Sequence, residues 1–139
     1  VGQLAMQFHP EFGNSAITLG GGSYERYNMY VNLIAAADLD AAYDTYRRFY
    51  PLFQQAYERL GYPNAYFNDR LVEVIDHLID GPIPDKPLTL VRPNVLYEYA
   101  DPDIEALSSG QKLMIRMGPD NAAAMKRVME NFRRRLTSD

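Results

Sequence analysis

Between residues 43 and 60 the side chains of Tyr43, Tyr46, Tyr50, Phe53, Tyr57 and Leu60 recur at alternating intervals of three and four. A helix gathers such positions onto one stripe, whereas a strand would scatter them over two faces. This stretch is therefore expected to be a helix laying an aromatic stripe against the rest of the fold. Pro51 falls inside it and cannot donate to the carbonyl of Arg47, so a kink or break is expected just before it. Gly61 then ends the helix and Pro63 prevents its resumption.

Similar patterns flank it. A first helix is expected from Ser23, whose hydroxyl can cap, through "YERYNMYVNLIAAA" to near Asp38, with Asp38 or Asp40 capping the next. A third should run from Asn64 or Asn68 to Asp80. There Asp69, Glu73, Asp76 and Asp80 fall within about 60° of one another, opposite Leu71, Val74, Ile75, Leu78 and Ile79. Pro82, Pro84, Pro87 and Pro93 make the next segment an extended arm, leading into a short strand at Asn94 to Tyr99. Asp101, Pro102, Asp103 and Glu105 have the makings of a helix start: a cap, a proline, and acids at the positive end of the dipole. Gly118 and Pro119 separate that helix from the last, capped by Asp120 or Gly118. In it Met125, Val128, Met129, Phe132 and Leu136 share a face opposite Lys126, Arg127, Arg133 and Arg134.

Residues 1–22 read as a weakly structured N-terminal segment, with "QLAMQF" and "AITL" as candidate strands and "GGG" as a stop. No Lys-Ser or Lys-Thr follows those glycines, which argues against a phosphate loop. The fold class expected is mainly α: a compact bundle of about five helices over residues 23–139, a proline-rich arm, and room for one or two short strands.

With 139 residues, 47% of them hydrophobic and 23% charged, the chain suits one globular domain rather than a disordered one. The absence of cysteine excludes disulfides, thiolate metal sites and a cysteine nucleophile. The longest apolar run, "LIAAA" at 33–37, is far below the roughly 20 residues that span a bilayer. The chain opens on Val1 rather than Met, so it is expected to be a fragment or a processed form, with room for a targeting or membrane segment in the missing part. Residues 112–139 carry seven basic and three acidic side chains, a net +4, leaving −8 for the remainder. Such a basic tail can fold back onto the acidic body, or it can touch anionic lipid through Arg133, Arg134 and Arg135.

The candidate sites are few. Nine of the eleven tyrosines lie between 24 and 66, and stacked rings could hold sugars, peptides or bases. At this spacing their ordinary role is core, the rings filling the bundle's own seam. Tyr62 and Tyr66, beside the "GYPN" turn, are the ones placed to line a groove. Asp69, Glu73 and Asp76 form an acidic ridge. Glu73 and His77 sit one turn apart, but carboxylates strung along one helix do not converge on a metal, so neither metal nor cofactor is assigned. Asp44 or Glu58 facing Asp69 or Glu73 would suit glycoside hydrolysis only across a cleft. "SSG" at 108–110 lacks a nucleophile's context, and nothing ties His9 or His77 to one. Asn68, Arg70, Gln111 and Lys112, polar residues just after turns, are expected to satisfy loop and helix-end groups unless they form a polar site.

Two stretches, "YRRFYPLFQQAYERLGYPNAYFNDRLVEVIDHLI" and "VLYEYADPDIEALSSGQKLMIRMGPDNA", are familiar as wholes. Through them the chain resembles an uncharacterised proteobacterial family, domain of unknown function 3014, over roughly residues 23 to 136. Members look like proteins with an N-terminal membrane-spanning segment, a variable spacer, and then this domain. The resemblance implies an anchored envelope protein with the domain on the periplasmic side, and it brings no functional residue. The function expected is thus a binding or scaffolding module with a protein partner in the cell envelope and no nucleic acid. The alternative is a hydrolase or a carbohydrate- or peptide-binding protein with a tyrosine-lined groove.

Overall fold

The computed structural model describes residues 4–6, 17–19, 21–84, 88–91 and 97–138. Along them run β1 (Leu4–Met6), β2 (Ile17–Leu19), α1 (Gly21–Ala36), α2 (Leu39–Arg59), α3 (Phe67–Ile79), β3 (Leu88–Val91), β4 (Glu98–Tyr99), α4 (Pro102–Glu105), α5 (Ser109–Arg116) and α6 (Pro119–Thr137). The fold is mainly α, with a small antiparallel sheet in the order β1-β2-β3-β4. Ile17 pairs with Leu90, and Leu90 with Tyr99.

The basic last helix is the spine. α1, α2, α3 and α5 all pack against α6. Buried Leu90, Tyr99, Ile104 and Ile115 form the core cluster where the sheet meets α4 and α5, with Tyr24, Leu88 and Leu107 packed onto it. Val31, Ile75, Ala122 and Leu136 are buried along the helix contacts.

Several local expectations are corrected. α1 starts at Gly21, two residues before Ser23. α2 passes through Pro51 without a break. Pro51 and Arg47 are both exposed, so water can serve the carbonyl that loses its donor, while the stripe on the other side keeps its contacts. The single helix expected after Asp101 is two. Asp101 accepts a bond from the Asp103 amide at 2.9 Å and opens α4 with Pro102 in its first turn. Ser108 then starts α5 afresh: its hydroxyl accepts from the Gln111 amide at 3.2 Å, and the Gln111 side chain accepts from the Ser108 amide at 3.3 Å. "SSGQ" is the pattern of such a reciprocal cap, and it is legible in the sequence once looked for.

The proline-rich arm contains β3, hydrogen-bonded on both sides by β2 and β4. Of the strand expected at 94–99, Glu98 and Tyr99 are strand, and residues 92–96 lie outside the described residues. Much of the 1–22 segment lies outside them too, His9 included. The stripe on α2 is a seam rather than a buried core. No residue of α2 is fully buried, and Phe53 and Leu60 are exposed.

Among the described residues two glycines hold positive φ. Gly61 (φ +112°) ends α2, and a Cβ there would meet nothing within 4 Å. Gly118 (φ +94°) opens α6, and a Cβ there would sit 2.5 Å from Cγ of Tyr24. Gly61→Ala should therefore cost only the backbone penalty, about 1–2 kcal/mol. Gly118→Ala adds a collision with a packed ring and should cost about 2–4 kcal/mol. Urea unfolding of the two variants checks this, and equal losses would contradict it.

Candidate functional site

The turn from α2 to α3 is built by side chains rather than by its own backbone. Tyr66, the residue preceding α3, contributes no side-chain cap. The orphan amides at the start of α3 are served from α2 instead. Gln54 accepts from the Phe67 amide at 2.8 Å, and the Tyr50 hydroxyl accepts from the Asn68 amide at 3.2 Å. Gln54 also donates to the Ala65 carbonyl at 2.8 Å, fixing the loop. Below the turn, Phe67 lies 5.7 Å from Phe53 and 5.9 Å from Tyr57, centroid to centroid.

Asn68 carries the polar side of this seam. Its oxygen accepts from the Tyr46 hydroxyl at 2.9 Å, and its amide nitrogen donates to the Leu136 carbonyl in the last turn of α6 at 3.3 Å. Tyr46 also stands edge-on to Phe132 at 6.0 Å. Burial pushes the Tyr46 phenol up to about 12, with Tyr50 and Tyr43 adding to the shift.

On the outer side of the turn the surface is apolar and open. Leu60, Tyr62 and Tyr66 are 76%, 52% and 67% exposed. The Tyr62 ring is nonetheless held in place, stacked on Tyr57 at 4.8 Å and 11°. Asp69, Arg70 and Glu73 lie exposed on the adjoining turns of α3, with Arg70 and Glu73 paired at 3.0 Å. One turn further, Asp76 takes both Nε and an Nη of Arg133 from α6. Arg135 reaches Asp40 at 2.8 Å, and Arg134 donates to Asn131 at 2.8 Å.

The nine residues singled out in the sequence thus separate. Tyr62, Tyr66, Asp69, Arg70 and Glu73 share one exposed end of α3, whereas Asn68 faces inward and Asp76 is engaged with α6. Gln111 and Lys112 sit at the other end of α3, roughly 17–20 Å away along a 13-residue helix. Gln111 is buried and donates to the His77 carbonyl at 3.0 Å. Lys112 donates to the Glu105 carbonyl and carboxylate at 3.2 and 3.3 Å.

His77 does have a hydroxyl neighbour that the sequence did not reveal: its Nε2 lies 2.7 Å from Oγ of Ser108. That oxygen already caps α5, and among the described residues no carboxylate hydrogen-bonds the other ring nitrogen. Also among the described residues, no group of three or more His, Asp or Glu side chains is placed to hold a metal. A pocket of about 170 Å³ between α1 and α6, lined in part by Tyr24, Glu25, Asn28 and Asp120, is smaller than most ligand sites.

One surface went unread. From Tyr27 to Ala37 there is no charged residue, and the side of α1 facing away from α6 exposes Met29, Tyr30, Leu33 and Ile34. An unbroken uncharged run within an amphipathic-looking helix was the available signal.

A mainly α domain with an acidic, tyrosine-bearing helical turn and a small antiparallel sheet is the class that fold and surface define. The chain belongs to the family described as protein of unknown function DUF3014, whose model matches residues 1–133. The match takes in the first 22 residues, which the sequence motifs alone had left outside the resemblance. No curated protein and no solved structure matches the chain.

Replacing Asn68 by Ala should cost about 1–3 kcal/mol, because the Tyr46 hydroxyl and the Leu136 carbonyl are left half-buried without it. Tyr46→Phe removes a donor but strands less, and should cost about 1 kcal/mol. Chemical denaturation gives both values. Tyr46 holds its proton more tightly folded than unfolded, so its contribution is full below pH 10 and is lost as pH rises toward 12. Stability measured across that window should fall less steeply for Tyr46→Phe than for wild type; identical slopes would contradict the assignment.

Proposed function

We propose that this domain is a binding module in a membrane-anchored bacterial envelope protein, and that it captures a protein partner at the α2–α3 turn. The observation that carries the reading is the pairing of exposure with rigidity at Tyr62: half open to solvent, yet stacked on Tyr57 at 4.8 Å. Aromatic side chains held in advance lose little entropy on binding and make good interface anchors. Leu60 and Tyr66 extend the apolar centre, and Asp69 and Glu73 supply an acidic rim, which suits a partner with a basic border around an apolar knob.

Anchoring and a periplasmic position rest on the family resemblance. Among the described residues no helix is long and apolar enough to cross a membrane. Lipid contact by Arg133, Arg134 and Arg135 is the weaker partner reading, because Asp76 and Asp40 already pair two of the three guanidinium groups.

A photo-crosslinking residue placed at Tyr66 in the full-length protein, in its own cells, should yield a discrete adduct that the same residue at Arg127 on α6 does not. Tyr62→Ser and the pair Asp69→Lys, Glu73→Lys should each reduce that adduct roughly tenfold. The charge reversals should leave the thermal midpoint almost unchanged because both side chains are exposed, and Tyr62→Ser should lower it by only a few degrees through the lost stacking on Tyr57. Asp76 is left intact because reversing it would break the pair with Arg133. Equal labelling at the two positions, or an adduct indifferent to the substitutions, would overturn the proposal.

A further inference from the structure

We infer that α1 is a self-association surface through which two copies of this chain pair, a role independent of the α2–α3 turn. The inner face of the helix is firmly seated. Val31 is buried, and Asn121 of α6 donates to the Tyr24 carbonyl at 3.3 Å and to the Asn28 side chain at 2.7 Å. That seating fixes what the outer face presents. Met29, Tyr30, Leu33 and Ile34 are 62%, 59%, 65% and 42% exposed. Met29 stands one turn from Leu33 and Tyr30 one turn from Ile34, so the four cover an arc of about 140°. Single exposed apolar side chains are ordinary, but four contiguous ones on a rigid helix mark an interface.

The absence of charge selects the occupant. From Tyr27 to Ala37 there is no Asp, Glu, Lys or Arg. A helix lying in a bilayer surface carries basic residues along its polar flank. α1 has only Glu25 and Arg26 at its start, in a chain of net charge −4. A partner bringing charged groups to this face would bury them without a mate. Between Tyr27 and Ala37 a second copy brings none, and a twofold pairing centred on that stretch sets each uncharged row against its own equivalent, with Arg26 at the edge.

The area sets the strength. The four side chains expose roughly 500 Å² per copy, so pairing hides on the order of 1,000 Å², the lower bound for a specific interface. Association should accordingly be reversible, in the micromolar range.

Sedimentation equilibrium from about 1 μM to 1 mM should show a monomer–dimer equilibrium for the wild-type chain, weakened roughly tenfold or more by Leu33→Glu. The exposed position should leave the fold intact, checked by circular dichroism. The chain has no cysteine, so a single Leu33→Cys thiol gives a second readout that does not depend on that variant. Near a twofold axis it should oxidise to a linked dimer at least tenfold faster than Arg127→Cys, an exposed position on α6. A monomer at every concentration, a dimer untouched by Leu33→Glu, or equal crosslinking rates would overturn the inference. So would flotation of monomer with neutral phosphatidylcholine vesicles, which would make the face a lipid contact.

Discussion

The bond network around Asn68 is what lets an aromatic seam behave as a specified contact rather than a greasy one. Rings alone would allow α2, α3 and α6 to slide past one another, since edge-on and stacked arrangements differ little in energy. The Tyr46 hydroxyl has to find an acceptor inside that seam, and the last turn of α6 has a carbonyl to satisfy. One side chain meets both demands, so only one register of the three helices leaves no half-buried polar group unmade. Asn121 does the corresponding work at the opposite end of α6, joining the Tyr24 and Met117 carbonyls and the Asn28 side chain. Both asparagines lie in contacts with α6, which is why that helix can organise the others.

Periodicity made the helices legible, because 3–4 spacing reports a face directly. The stripe on α2 and the ridge on α3 were both visible in this way. What those faces would meet was not visible, and the stripe was accordingly overrated as core: its rings are covered on one side by Phe67 and Phe132 and left open on the other. Pro51 does not break α2 for a related reason. Its penalty depends on whether the orphaned carbonyl faces water, which is a tertiary fact. Ser108 was the opposite case, a local rule present in the letters and simply passed over. The small sheet was harder to read, since two- to four-residue strands carry too few alternations to distinguish them from an arm.

The candidate site was half legible. Tyr62 and Tyr66 were found from composition around a turn, and Asp69 and Glu73 from the helical ridge; their meeting at one end of α3 follows from the chain being short there. Gln111 and Lys112 were singled out on the same grounds as Asn68, namely polarity after a turn, and all three are occupied in holding carbonyls or amides. The uneven charge along the chain is partly resolved in the fold: Asp76 with Arg133 and Asp40 with Arg135 tie the acidic body to the basic last helix. Half-exposed pairs of this kind add little stability, but they orient the helix they decorate.

The start of α3 has a further consequence. Its first amides are capped by Gln54 and Tyr50, which belong to a different helix, so α3 has no closed beginning of its own. A helix of 13 residues is marginal in isolation even with good ends. Local opening is therefore shared: whenever α2 lifts away, the N-terminal turn of α3 loses its bonds in the same event. The two helices form one cooperative unit, and the exchange of the Phe67 and Asn68 amide protons with solvent is a clock for the departure of α2.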